Sequence, residues 1–217
     1  MADAVHLRSV VALVGRYPAL AGADLDVAPG EVVLLRGGNG AGKTSLLRVC
    51  AGLLRAAAGE VEVLGLDLRR DPRAVRRRVG LLGHSTHLYD DLSVADNVRF
   101  AVRAAGGSRA AADSALERFG LGGRLGGLRA AHLSAGQRRR AALAALWARA
   151  PELWLLDEPH AALDAEGRAL VDSMIGTAVA GGATVVLASH EDAAVADLPV
   201  RAVTLAGGRV GEVALAA

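Results

Sequence analysis

The sequence predicts an α/β fold: a mostly parallel sheet, an antiparallel β-ribbon near the start of the chain, and an inserted α-helical subdomain. Three observations lead there. Apolar residues alternate with polar ones at Val5, Leu7, Val10 and Ala12, then at Leu25 and Val27. The all-apolar run Val32-Val33-Leu34-Leu35 leads through a glycine-rich loop into a helical pattern. The mostly helical stretch from Ser93 to Arg149 is far longer than one crossover helix requires.

Composition narrows the class. At 217 residues the chain builds one substantial domain whose core needs no covalent staple. Its hydrophobic fraction is 52% with only 3% aromatics, an alanine-rich balance that suits closely packed helices. The single Cys50 cannot close an internal disulfide, so a reducing compartment is expected, with the thiol serving as a small buried hydrophobe. No apolar run approaches the roughly 18–20 residues of a membrane span, and the N-terminus lacks the pattern of a signal peptide. The expected location is cytoplasmic. A net charge of +2 does not demand a nucleic-acid partner, and none is expected. The basic clusters Arg69 to Arg78 and Arg138 to Arg140 read as solvated faces, with lipid headgroups or an acidic partner as the rarer alternatives.

The elements follow in order. The alternating start is a β-ribbon, and Ala28-Pro29-Gly30-Glu31 is a turn. Val32 to Leu35 has the unbroken apolarity of a strand buried on both faces. From Lys43, the spacing of Leu46, Leu47, Val49, Cys50, Leu53 and Leu54 predicts a helix ending near Gly59. Further buried strands are predicted at Val79–Leu82, Leu153–Leu156, Thr184–Ala188 and Val200–Leu205. Gly120–Gly127 reads as a hinge or a loop. The organisation is a single domain over 1–217, with a core from 1–88 and 150–217 and a helical subdomain over 89–149.

Gly37-Gly38-Asn39-Gly40-Ala41-Gly42-Lys43-Thr44 fits G-x-x-x-x-G-K-[ST] after a buried strand and before a helix, the context this pattern needs. Its glycines let the backbone curl so that successive N–H groups converge on phosphate oxygens, and the helix N-terminus adds its positive end. Lys43 is expected to reach the β- and γ-phosphates of a nucleotide, and the Thr44 hydroxyl to hold Mg²⁺. Ser45 completes the nucleotide-contacting set. An ordinary glycine-rich turn would explain neither Lys-Thr nor the flanking elements.

Leu153-Trp154-Leu155-Leu156-Asp157-Glu158 is an apolar strand ending in two carboxylates. Alone such a pair reads equally as solvated loop residues. Beside a phosphate loop, Asp157 becomes a Mg²⁺ ligand, directly or through water, and Glu158 a general base for the attacking water. Leu133-Ser134-Ala135-Gly136-Gln137 opens another helix, where Ser134, Gly136 and Gln137 offer a second phosphate-binding surface. Ser134 is also a helix N-cap, and the two roles are compatible. One nucleotide does not need two such surfaces in one domain. The economical use is to close over ATP held by a second copy, in a head-to-tail dimer.

These motifs, in this order, resemble the ABC-type ATPases over essentially the whole length. Leu133 to Gln137 is similar to their signature (usually LSGGQ), Ala161-Ala162-Leu163-Asp164 to their D-loop, and Leu187-Ala188-Ser189-His190 to their switch histidine. The resemblance implies a P-loop NTPase with a RecA-like core, ATP and Mg²⁺ as ligands, and a transmembrane permease as partner. It implies that Asp164 contacts across the dimer and that His190 touches the γ-phosphate. Two positions depart from the pattern. His84 stands where the family's Q-loop carries glutamine, and Val14 falls near the place of its adenine-stacking aromatic, with Tyr17 close by.

The departures point within the family. Gly83-His84, the helix pattern from Leu92 to Phe100, and Leu133 to Trp147 resemble the haem-exporter ATPases of cytochrome c maturation (CcmA type). That resemblance implies a CcmB-like membrane partner and a place on the cytoplasmic face of the membrane. An exporter motor for a drug or lipid is the alternative. A soluble ABC ATPase of translation or DNA repair usually carries tandem cassettes or a long coiled-coil insertion, and this sequence shows neither.

Overall fold

A computed structural model describes residues 2–189 and 198–212. Its strands are Val5–Val14 (β1), Tyr17–Val27 (β2), Val32–Arg36 (β3), Ala56–Val63 (β4), Leu66–Asp67 (β5), Val79–Leu82 (β6), Leu153–Asp157 (β7), Thr184–Ala188 (β8), Val200–Ala206 (β9) and Arg209–Glu212 (β10). Its α-helices are Lys43–Cys50 (α1), Pro72–Arg78 (α2), Val94–Ala104 (α3), Arg109–Arg118 (α4), Gly123–Gly126 (α5), Ala135–Arg149 (α6) and Ala165–Ala180 (α7). The chain divides into two compact units, one made of Met1–Leu81, Glu152–Pro159 and Ile175–Ala217, the other of Leu82–Pro151 and His160–Met174. Among the described residues no helix is long and apolar enough to cross a membrane.

The first unit holds two sheets. One is antiparallel, in the order β2-β1-β4-β5; the other runs β10-β9-β3-β8-β7-β6, with β9, β3, β8 and β7 parallel. Val33 and Leu35 of β3, Leu153 and Leu155 of β7, and Val186 of β8 join Leu46, Leu47 and Cys50 of α1 in one apolar core. The inward residues of β1, β2 and β4, such as Leu7, Leu20 and Val61, complete it. The intervening residues Leu34, Trp154 and Leu187 are buried too, as in a parallel sheet covered on both faces. Truncating one such leucine to alanine costs about 2–5 kcal/mol. Cys50 lies in this core, and burial pushes its thiol up to about 12, which makes it an inert apolar group.

One local expectation is corrected. Helix α1 stops at Cys50, well before Gly59. Gly52, at a φ of 65°, donates to the Val49 carbonyl while Leu53 donates to Arg48, the paired bonds of a Schellman cap. Ala56 to Gly59 then belong to β4, because pairing with β1 outweighs the helix preference of three alanines. The expected turn Ala28-Pro29-Gly30-Glu31 is present, the Glu31 amide donating to the Ala28 carbonyl at 3.2 Å, and it leads from β2 to β3. The β1–β2 ribbon itself turns at Gly15-Arg16, where Val14 faces Tyr17.

The second unit is helical, with α3, α4 and α6 packed on one another. Val94, Val98 and Val102 form one buried stripe of α3, and Ala112, Ala115, Ala141 and Ala144 let the helices approach closely. Ser93, Ser108 and Ser134 cap α3, α4 and α6. Buried Asn97 accepts from the Tyr89 amide at 2.7 Å and donates to the carbonyls of Tyr89 and Ser93, both at 3.0 Å, which holds the segment entering α3. Gly123–Gly126, within the glycine run, form the short helix α5.

Candidate nucleotide site and signature helix

Strand β3 delivers the chain into the phosphate loop at its C-terminal end. Gly37 has a φ of 148°, and a Cβ there would meet the Leu205 carbonyl oxygen at 2.3 Å. Gly42 has a φ of 109°, and a Cβ there would meet the Ala19 carbonyl oxygen at 2.5 Å. Only glycine satisfies both the conformation and the crowding at these two positions. Gly38, Asn39 and Gly40 form the exposed rim, while Ala41 is buried beneath it. The Gly208 amide donates to the Ala41 carbonyl at 3.1 Å and tethers the loop to the β9–β10 turn.

Helix α1 differs from the helices capped by serine or aspartate: it begins at Gly42, with no side-chain cap. The first-turn amides of Lys43, Thr44 and Ser45 lack partners within the helix, and no acidic residue sits in that turn, so this end suits an anion. The Lys43 side chain folds back across the loop and donates from Nζ to the Gly37 carbonyl at 2.6 Å and to Gly38 at 3.2 Å. It is only 7% exposed, so its charge sits inside the curl of the backbone.

Thr44 and Asp157 meet although far apart in sequence: the Thr44 hydroxyl donates to Asp157 Oδ2 at 2.8 Å. A hydroxyl and a carboxylate at this spacing are the hard oxygen donors that Mg²⁺ prefers, so the residues fit that ion. Asp157 ends β7 and is buried. Glu158 follows with its amide bonded to the Ala188 carbonyl of β8 at 2.9 Å. Its φ is 48°, a left-handed conformation uncommon for glutamate and of the kind found where a side chain is held for a task. Ser189 is buried just beyond β8; His190 lies outside the described residues.

The second unit carries the signature motif. Ser134 Oγ accepts from the Gln137 amide at 3.2 Å while Gln137 Oε1 accepts from the Ser134 amide at 3.0 Å, a reciprocal capping box. A Cβ on Gly136 would meet the Ala162 carbonyl oxygen at 2.9 Å. The D-loop backbone therefore lies directly against the start of α6, which demands glycine at 136 and tolerates alanine at 135. Asp164 caps α7 through the Gly167 amide at 2.8 Å and takes Arg140 at 2.9 Å. The Gly167 amide first, then Arg140, hold the Asp164 carboxyl below its ordinary value.

Arg138 to Arg140 do not form a solvated face. Successive helical residues point about 100° apart, so the three guanidinium groups diverge. Arg138 meets Asp90 at 2.7 Å, buried Arg139 meets the Gly83 carbonyl at 2.7 Å, and Arg140 meets Asp164. Arg139 thus braces the segment bearing His84, whose own side chain is exposed. Within the run Arg138 to Arg140 nothing in the sequence sets Arg139 apart as the buried member, and His160 carries no local signal. Asn97, between apolar Val94 and Val98, is by contrast a polar side chain inside an apolar pattern.

Tyr17 is 81% exposed at the ribbon turn, two residues before the Ala19 carbonyl that crowds Gly42. Val14, its partner across the turn, is also exposed.

The ABC transporter family model matches residues 20–161. The chain belongs to the ABC transporter family. Relatives named "Cytochrome c biogenesis ATP-binding export protein CcmA" are similar to this ABC ATPase. The protein from Bordetella bronchiseptica is 43% identical over 82% of this chain and 80% of its own length. That from Xanthomonas campestris is 43% identical over 84% of each, and that from Rhodopseudomonas palustris is 42% identical over 86% and 92%. A solved dimeric ATP-binding cassette, in a post-hydrolysis state with ADP and Pi, superposes with a TM-score of 0.86. It has 25% identity and covers 96% of this chain and 98% of that one. A bacterial ABC exporter with ATP bound gives 0.84 at 26% identity, covering 97% of this chain and 38% of that one.

Proposed function

We propose that this chain is the ATP-hydrolysing subunit of an exporter serving c-type cytochrome biogenesis, with haem as the cargo of the membrane partner. The observation that carries the cytochrome role is the shared name of relatives near 43% identity across most of both chains. In this reading the loop Gly37–Thr44, Lys43 and Ser45 bind the phosphates of ATP. Thr44 and Asp157 hold Mg²⁺, which would neutralise charge developing on the β- and γ-phosphates. Glu158 takes a proton from the attacking water, and His190 contacts the γ-phosphate. Tyr17 stacks on the adenine, and His84 serves at the Q-loop position.

Ser134, Gly136, Gln137 and Asp164 act on the nucleotide of a second copy. The phosphate loop takes one nucleotide and the start of α6 presents Ser134 and the Gly136 backbone to another, so in this reading each chain supplies half of two sites. The permease is CcmB-like and keeps the chain on the cytoplasmic face of the membrane. Exposed Tyr89 and Phe100, edge to face at 5.5 Å, provide an apolar surface on the helical unit for such a partner.

The test is genetic and biochemical together. Deleting the gene should remove haem-stained c-type cytochromes, and the parent chain should restore them. Glu158→Gln should fail to restore them and lose about 10²–10⁴ in ATP turnover while still dimerising with ATP. Normal c-type cytochromes in the deletion strain would sink the cytochrome role, and normal turnover by Glu158→Gln would sink the general-base assignment.

A further inference from the structure

We propose that the pair His160–Asp172 is a latch that sets the D-loop against the signature helix, making His160 a positioning residue of the half-site offered to the second copy. The proposal rests on the dimer reading above. His160 Nε2 lies 2.8 Å from Asp172 Oδ1, and the residue is only 9% exposed. A ring this buried is tolerable only with its polar atoms satisfied, so the bond pins the segment rather than decorating it.

The segment needs pinning. Ala162 has a φ of 63°, a strained conformation for alanine that persists only where the surroundings over-determine it. Those surroundings are specific. The Leu163 amide donates to the His160 carbonyl at 3.2 Å and closes a turn around Ala162. Asp164, on the far side, caps α7 and pairs with Arg140 of α6. The loop is therefore fastened to α7 at two points, Gly167 and Asp172, about 7–8 Å apart along the helix. Between them the Ala162 carbonyl is pressed towards Gly136, at the start of the signature helix. Without the His160 anchor, Ala162 is free to relax out of the left-handed region and its carbonyl to leave Gly136. Nucleotide binding by the phosphate loop uses none of these residues.

The experiment measures ATP-driven dimerisation of the full chain in a Glu158→Gln background, alongside monomer binding of a fluorescent ATP analogue. His160→Phe and Asp172→Leu should each weaken dimerisation at least fivefold and leave monomer binding within twofold. The double variant should be no worse than either single, because both remove one bond. His160→Gln, which keeps a donor at a similar reach, should recover dimerisation. Amide exchange at residues 161–163 should rise in the defective variants. Parental dimerisation in both single variants, or His160→Gln as impaired as His160→Phe, overturns the latch. Failure of Glu158→Gln itself to dimerise with ATP overturns the dimer reading and the latch with it.

Discussion

The Thr44 hydroxyl at the start of α1 donates to the Asp157 carboxylate at the end of β7 over 2.8 Å, joining groups separated by 113 residues. The core orients both ends of this bond: α1 packs on the sheet through Leu46 and Leu47, and β7 lies beside β8. Thr44→Val keeps the shape and removes the hydroxyl. It should cost about 1–3 kcal/mol in denaturant unfolding, since a buried carboxylate loses a donor, and should lower Mg²⁺-dependent ATPase at least tenfold. Thr44→Ser should retain most of both. Parental ATPase in Thr44→Val would exclude the hydroxyl from the site.

Ser134 has two candidate duties that one substitution separates. Aspartate caps a helix as well as serine does, yet it brings a negative charge to a surface meant for phosphate. Ser134→Asp should melt within a few degrees of the parent and lose ATP-driven dimerisation. Ser134→Ala should cost about 1 kcal/mol of stability. If Ser134→Asp hydrolyses ATP normally, the residue is a cap and nothing more.

Gly136 and Ala135 should respond in opposite ways. Gly136→Ala drives a methyl against the Ala162 carbonyl and should impair ATPase at least tenfold in a folded protein. Ala135→Gly changes only backbone freedom, with a stability cost of at most about 1 kcal/mol, and should leave turnover within twofold. Melting curves beside steady-state rates check both.

The acid limb of stability should depend on Arg78. Its guanidinium makes paired bonds of 2.6 Å to Glu152, and these hold the Glu152 carboxyl below its ordinary 4.5. A lowered carboxylate adds stability above the unfolded value, and that stability is lost as pH falls through the folded one. Arg78→Met should therefore flatten the fall of the melting temperature with pH below about 4.5. Near neutral pH, where the pair is solvent-exposed and screened, it should cost no more than about 1 kcal/mol. An unchanged acid limb would show that the pair contributes nothing there.

Much was legible in the chain itself because the relevant physics is local. The phosphate loop needs particular glycines and a lysine in succession, the capping box spans Ser134 to Gln137, and strands buried on both faces read as unbroken apolar runs. The sequence by itself therefore determined the α/β class, the family and the order of its motifs. Tertiary structure decided which residues meet. Ala56 to Ala58 prefer a helix and became strand by pairing with β1, Arg138, Arg139 and Arg140 went to three different partners, and Thr44 found Asp157 only through the sheet. His160 and Asp172 carry no local signal, since a hydrogen bond between a loop and a helix arises only once the chain has packed.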